Sequence, residues 1–94
     1  MIEFKNDEAG YFSWITSHPR GYVLNVRSEP DPTYVVLHRA RCGQISSTKR
    51  EPGAYTERNF RKWCGESMEE LHLAAKREGR PDGTFSKRCG LCKP

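Results

Sequence analysis

Two segments of the chain have the hydrophobic spacing of an amphipathic helix and are predicted to be helices. The first, over 7–17, begins after Asn6, a residue type favoured at helix N-caps. Its apolar residues recur at near-helical intervals and are Tyr11, Phe12, Trp14 and Ile15. The second, over 68–78, follows Ser67 with Glu70 three positions later, which is the spacing of a capping box. Its apolar stripe consists of Met68, Leu71, Ala74 and Ala75.

Between these helices, segments rich in β-branched and aromatic residues predict strands. Segments 22–26 and 33–38 flank a polar, proline-containing turn at 28–32, so we expect them to pair as an antiparallel hairpin. A third strand is predicted over 58–64, where apolar and cationic residues are interspersed. This order of elements predicts an α+β fold, with a short antiparallel sheet flanked by two helices.

The size and composition of the chain predict one domain spanning residues 1–94. With 35% hydrophobic residues in 94, the apolar core is small, and a bound metal would supplement it. No apolar run approaches the roughly 18 to 20 residues of a membrane span. The chain also starts without the basic and apolar regions of a signal peptide, so we expect a cytoplasmic location and no membrane association.

The net charge of +4 is unevenly distributed along the chain. Residues 1–38 contain three lysines and arginines against five acids, whereas residues 39–94 contain thirteen against seven. A basic half of this kind favours a polyanionic partner, most often nucleic acid. The alternative is a surface whose charges only keep the protein in solution.

The four cysteines, Cys42, Cys64, Cys89 and Cys92, are the strongest chemical signal in the sequence. Cys89 and Cys92 form a C-x-x-C knuckle, a spacing that lets two thiolates of one turn bind one ion. Four thiolates would complete a tetrahedral Zn²⁺ site with no position left for water, so the predicted zinc is structural. His38, four residues before Cys42, is the substitute ligand if Cys64 points into the core.

Other roles for the cysteines remain open from the sequence. Two disulfides would suit a secreted chain, and unpaired or redox-active thiols are a further alternative. An enzyme is the less favoured interpretation, because the H-x-E partner of a deaminase knuckle and the H-E-x-x-H, G-x-S-x-G and phosphate-loop motifs are missing. A cysteine nucleophile activated by His38 or His72 is the catalytic alternative.

The terminal segment 88–94, with its C-x-x-C knuckle, resembles one half of the zinc-ribbon and treble-clef families, whose members often bind nucleic acid or protein. Together, 37–42, 62–64 and the terminal Cys-x-x-Cys-x-Pro are similar to small bacterial four-cysteine modules that occur alone or attached to nuclease-type domains. The resemblance implies a zinc-binding module that is either a free-standing regulator or an accessory to a larger nuclease or regulatory protein.

The leading functional hypothesis is therefore a zinc-stabilised module that binds DNA or RNA through a basic surface. Tyr55 and Trp63 are the aromatic residues predicted to stack on bases. The alternative is a protein–protein interaction adaptor shaped by a structural zinc. The predicted nucleic-acid contacts are Arg39, Arg41, Lys49, Arg50, Tyr55, Arg58, Arg61, Lys62, Trp63, Lys87, Arg88 and Lys93.

Overall fold

The architecture is a five-stranded sheet with one helix on each face, seen in a computed structural model that describes residues 1–94. The elements are β1 (Ile2–Phe4), α1 (Glu8–Ser17), β2 (Tyr22–Arg27), β3 (Val35–Arg39), β4 (Phe60–Gly65), α2 (Met68–Arg77) and β5 (Lys87–Arg88). The strand order is β1-β4-β2-β3-β5, and the neighbours are antiparallel except for β3 and β5. The predicted α+β class is confirmed, and the sheet is mixed rather than purely antiparallel.

Each predicted helix and strand is present, and the structure adds two short strands at the edges of the sheet. β1 pairs with β4 in the register Ile2↔Cys64 to Phe4↔Lys62. β5 runs parallel to β3 over only two residue pairs, Val36↔Lys87 and Leu37↔Arg88. Strands of two or three residues carry no detectable alternation, because that pattern needs at least four positions.

Helix α1 is capped one residue later than the sequence indicated. Asp7 is the N-cap and accepts a hydrogen bond from the backbone N–H of Gly10. Asn6 instead adopts a left-handed conformation at φ 55°, which asparagine tolerates better than most residues. The carboxylate of Glu8 accepts backbone hydrogen bonds from Tyr55 and Thr56, which ties the loop before β4 to the start of the helix.

Helix α2 has the predicted capping box, since Ser67 accepts from the Glu70 amide and the Glu70 side chain accepts from the Ser67 amide. It covers one face of the sheet and buries Leu71, Ala74 and Ala75. The core on this face also includes Leu24, Val26, Val35, Leu37 and Trp63. Both helices have ten residues, and neither is long and apolar enough to cross a membrane.

The other face of the sheet is covered by α1 and by the long connection between β3 and β4. Its core contains Phe4, Tyr11, Trp14, Ile15, Val23, Ala40, Ile45, Tyr55 and three of the cysteines, Cys42, Cys64 and Cys89. The hydroxyl of Tyr11 donates to the carbonyl of Ile45 at 2.6 Å, so the connection is anchored to the helix from inside the core. This layer holds the candidate metal ligands.

A buried ionic network joins three strands to the end of α2. Arg61 of β4 makes two hydrogen bonds to the carboxylate of Glu78, at 2.8 and 2.6 Å. It also donates to Glu3 of β1 at 2.6 Å and to the carbonyl of Arg27 in β2 at 2.8 Å. Trp63 donates its indole N–H to Glu78 at 2.9 Å. Arg61 and Glu78 are 4% and 2% exposed, so the pair is shielded from water.

Candidate metal centre

Four side chains meet at the end of β3: those of His38, Cys42, Cys89 and Cys92. Their ligand atoms all lie within 4.8 Å of one another. Three of the four residues are buried, and Cys92 is partly buried. A cluster of this composition is compatible with a metal ion such as zinc.

The parallel pairing of β3 and β5 places the terminal knuckle beside His38. The amide of Cys89 donates to the carbonyl of Leu37 at 2.9 Å and so continues the ladder of β5 beyond its last strand residue. The amide of Arg39 donates to the sulfur of Cys92 at 3.2 Å. A turn follows β3 and brings Cys42 to the same point. In this turn the amide of Cys42 donates to the carbonyl of Arg39.

The sulfur spacing in this cluster fits a metal centre rather than a disulfide. Cys42 Sγ and Cys89 Sγ are 3.8 Å apart. A tetrahedral site with Zn–S bonds of about 2.3 Å has an edge of about 3.8 Å between its sulfurs, whereas a disulfide requires about 2.05 Å. All four cysteines are free thiols in this structure.

His38 has the protonation state that a ligand needs. Burial, followed by the charges of Lys62 and Lys87, lowers its pKa to about 4, so the ring is neutral near pH 7. Its Nδ1 is also the one buried side-chain nitrogen or oxygen in the protein without a hydrogen-bond partner. A buried imidazole with an unpartnered nitrogen, beside three thiols, would be satisfied by a bond to an ion.

Backbone amides approach two of the thiols and favour their ionised form. Burial raises the pKa of Cys42 to about 12, while the amide of Gln44 opposes that rise. For Cys89, burial also acts to raise the pKa, but hydrogen bonds from the amides of Cys92 and Leu91 and from the side chains of Cys42 and Cys92 together outweigh it and hold the pKa below its ordinary value. Amides that point at a sulfur stabilise a thiolate, and a coordinated metal deprotonates the thiol outright.

Cys64, which the sequence favoured as a fourth ligand, lies outside this cluster. It sits in β4, which is separated from β3 by β2, and two strand spacings amount to about 10 Å. Its thiol is fully buried in the apolar core beside α1, where burial raises its pKa to about 12. His38, predicted only as the substitute, takes the fourth place. The sequence signal that could have identified His38 as a ligand is the combination of H-x-x-x-C with C-x-x-C, which gives two closely spaced pairs of candidate ligands.

Three of the predicted nucleic-acid contacts, Arg61, Lys62 and Trp63, are buried inside the protein, so their prediction is wrong. A fourth, Tyr55, is only 5% exposed but lines a cleft beside the metal cluster. The ammonium of Lys62 donates to Asn25 Oδ1 at 2.8 Å and to the carbonyl of Tyr55 at 2.7 Å. Arg61 and Trp63 are bound to Glu78, as described above. The physical reason is that β4 is an inner strand with both faces covered, so neither set of alternate side chains reaches solvent.

Two further predicted contacts hold the C-terminal segment. Arg39 donates to the carbonyls of Cys92 and Lys93, both at 3.1 Å, and Arg88 donates to the carbonyl of Pro94 at 3.2 Å. The remaining predicted cations have exposed side chains that do not bind the C-terminal segment, and we call them the free cations. They are Arg41, Lys49, Arg50, Arg58, Lys87 and Lys93.

Several of these free cations border two adjoining depressions on the side of the metal cluster. The first, a cleft of about 560 Å³, is lined by Arg50, Lys87 and residues of the cluster itself. The second, of about 450 Å³, is lined by Lys49, Arg50 and Arg58. Of all residues lining the two, only Glu51 is acidic.

The fold and the cluster together define a small α+β domain with a candidate His/Cys₃ metal site. Its ligands come from β3, from the turn that follows it and from the knuckle after β5. Comparisons with known protein families, curated proteins and solved structures found no match to this chain.

The buried Lys62 predicts a distinctive pH dependence of stability. Burial lowers its pKa to about 7 from an ordinary value near 10.5. Between these values the unfolded chain binds more protons than the folded one, so the free energy of unfolding should rise with pH. We expect Lys62→Met to remove a slope approaching about 1.4 kcal/mol per pH unit between pH 7 and 9. Urea unfolding at several pH values measures it.

The matched control for this experiment is Lys76→Met, which removes an exposed lysine from α2. It should keep the slope of the unmodified protein. Lys62→Met should change the slope even if lost hydrogen bonds also lower its overall stability. Parallel pH profiles for all three proteins would contradict the prediction.

Proposed function

We propose that this protein is a zinc-stabilised module that binds nucleic acid through its basic surface. Zn²⁺ would be held by His38, Cys42, Cys89 and Cys92 and would supply structural cross-linking. Because four protein ligands fill a tetrahedral coordination sphere, such a site keeps no open position for a substrate or an activated water.

The observation that carries this proposal is the arrangement of free cations around the two depressions. Lys49, Arg50, Arg58 and Lys87 border them, and Glu51 is the single acidic residue there. Glu51 pairs with Arg58 at 3.1 Å, but both side chains are more than half exposed, so phosphate can compete for the arginine. A concave surface of one charge sign attracts a polyanion.

One cation of the basic surface, Lys87, belongs to the segment that leads into the metal site. Lys87 belongs to β5, whose two residues pair only with β3 at the edge of the sheet. The knuckle immediately after β5 fixes that segment in place through Cys89 and Cys92. In this proposal the zinc orders the part of the surface that contacts phosphate. The resemblance noted above supports a role as an accessory to a larger nuclease or regulatory protein.

A salt series of binding measurements tests the proposal. Affinity for short single-stranded and duplex nucleic acid should fall linearly with salt on logarithmic axes. The double variant Arg50→Ala/Lys87→Ala should reduce that slope by about 1.4 to 1.8, because each phosphate contact contributes about 0.7 to 0.9. Fluorescence anisotropy with labelled oligonucleotides gives both the affinity and the slope.

The control variant, Arg20→Ala/Lys76→Ala, removes the same charge from other parts of the surface. Its slope should stay close to that of the unmodified protein. The proposal fails if neither kind of nucleic acid binds at about 50 mM salt, where phosphate contacts are least screened. It also fails if the two double variants lose affinity and slope equally.

A further inference from the structure

The cleft beside the metal cluster has the size and the lining of a ligand site. Its volume of about 560 Å³ lies within the range of pockets that bind small organic groups. The sheet contributes Asn25 and Val36 to it, and the knuckle contributes Cys89, Gly90 and Leu91. Eight of its fourteen lining residues are hydrophobic, and most of the others have polar side chains that could orient a ligand.

One wall of the cleft is aromatic and held in place. The rings of Tyr34 and Phe60 lie with centroids 5.8 Å apart, and the guanidinium of Arg27 lies 4.3 Å from the centre of the Tyr34 ring. Asn25 donates to the Tyr34 hydroxyl at 3.3 Å, which fixes the ring from the strand below. A prearranged aromatic wall favours stacking of a flat, apolar group.

Amide side chains border the same space. Asn25 uses one N–H toward Tyr34 and one lone pair toward Lys62, so one donor and one acceptor position remain on that amide. Gln44 lines the cleft with an exposed side chain. Paired donors and acceptors of this kind match the edge of a nucleobase.

The charge at the cleft is of one sign. Arg50 and Lys87 supply cations, and none of the lining residues is acidic. Leu91 lies at the cleft with 63% of its surface exposed, which is unusual for a large apolar side chain. The cleft therefore suits a ligand that combines a flat apolar ring with negative charge beside it.

We infer that this cleft receives one unstacked base of a single-stranded nucleic acid, with the flanking phosphates near Arg50 and Lys87. The inference rests on the proposed function and specifies the strand and the place of contact. A base within a duplex is stacked and paired, so entry into a concave site requires an unpaired strand or a flipped base. The base contacts the aromatic wall, and the amides of Asn25 and Gln44 meet its edge.

The test compares two oligomers with equal numbers of phosphates. One is a short single-stranded DNA of mixed sequence, and the other is its stable abasic analogue, in which every base is absent. We expect the intact strand to bind at least about tenfold more tightly, since stacking of even one base accounts for a difference of this order. Tyr34→Leu should bring this ratio close to one while leaving the affinity for the abasic strand and the salt slope unchanged.

The matched control is Tyr22→Leu, which alters a half-buried tyrosine that packs with the α2-side core of the sheet. It should keep the tenfold ratio. If Tyr34→Leu does not fold, Gln44→Ala carries the test, because its side chain is exposed. Gln44 Oε1 lies 3.4 Å from the sulfur of Cys89, so the zinc content of this variant is measured as well; the ratio should fall by about threefold while the zinc content stays unchanged.

The outcomes separate this inference from the proposed function. Equal affinity for intact and abasic strands, with strong salt dependence, would overturn the base-binding cleft and leave the basic surface standing. An unchanged ratio in a folded Tyr34→Leu or Gln44→Ala variant would overturn it as well. If neither oligomer binds, both ideas fail together.

Discussion

Removal of the proposed zinc is expected to unfold the domain, or to lower its melting temperature by tens of degrees. Structural zinc contributes roughly 10 to 16 kcal/mol of apparent binding energy in small zinc-dependent folds, which equals or exceeds the net stability of most domains. The ligands here tie β3 to a C-terminal segment whose strand has only two residues. Circular dichroism melts, with the metal quantified before and after chelation, measure the effect.

Single variants test which residues bind the zinc. Cys42→Ser, Cys89→Ser, Cys92→Ser and His38→Ala should each lower the zinc content and the melting temperature sharply. Cys64→Ala should retain one zinc per chain and lose only about 0.5 to 3 kcal/mol of stability, as is usual for a core truncation. Loss of zinc in Cys64→Ala with retention in His38→Ala would contradict the assignment. An unchanged melt after verified metal removal would contradict the structural role itself.

The choice between Cys64 and His38 shows what the sequence could and could not determine. The knuckle is local, because two cysteines in one turn must lie close to each other whatever the rest of the fold does. The remaining ligands depend on which strands are neighbours. Since β2 lies between β3 and β4, His38 faces the knuckle and Cys64 does not. Strand order is a non-local property, and no spacing within the sequence encodes it directly.

The helices and longer strands could be predicted because the sequence signals for them are local. The periodicity of α2 and its capping box depend only on residues within the helix and its first turn. The edge strands depend on partners far away in the chain: β1 pairs with β4 across about sixty residues, and β5 pairs with β3 across about fifty. Short strands of this kind form because a neighbouring strand offers free backbone groups, not because their own residues demand it.

The nucleic-acid contacts predicted in β4 are wrong because the burial of a strand, like strand order, depends on residues far away in the sequence. Cations interspersed with aromatic residues in a strand predict one solvent-exposed face, but in β4 the alternation of side chains places one cation and one aromatic residue on each face. In this fold both faces of β4 are covered, by α2 on one side and by α1 and the β3–β4 connection on the other. Arg61 and Lys62 consequently became buried polar groups with specific partners, which is how proteins accommodate charge in the interior.

Substitution of Glu78 by glutamine is expected to lower the free energy of unfolding by about 1 to 3 kcal/mol, the usual cost of leaving buried hydrogen-bonding groups without their partner. Glu78 receives hydrogen bonds from two nitrogens of Arg61 and from the indole of Trp63. The glutamine keeps the shape of the side chain but removes the negative charge, so Arg61 retains only Glu3 as a carboxylate partner. Urea unfolding followed by circular dichroism gives the difference in free energy.

A double variant tests whether the cost comes from the orphaned charge or from lost packing. Arg61→Met/Glu78→Leu removes both buried charges and keeps apolar volume, a change that is often tolerated for buried ion pairs. It also removes the acceptor of the Trp63 indole N–H and the partner of Glu3, so it should be no more destabilised than Glu78→Gln rather than fully stable. The exposed pair of Arg58 and Glu51 is the control, and Glu51→Gln should cost under about 1 kcal/mol. A Glu78→Gln protein as stable as the Glu51→Gln protein would show that the network is dispensable. If the cost appears as predicted, the network joining β1, β2 and β4 to α2 stabilises the face of the sheet opposite to the metal centre.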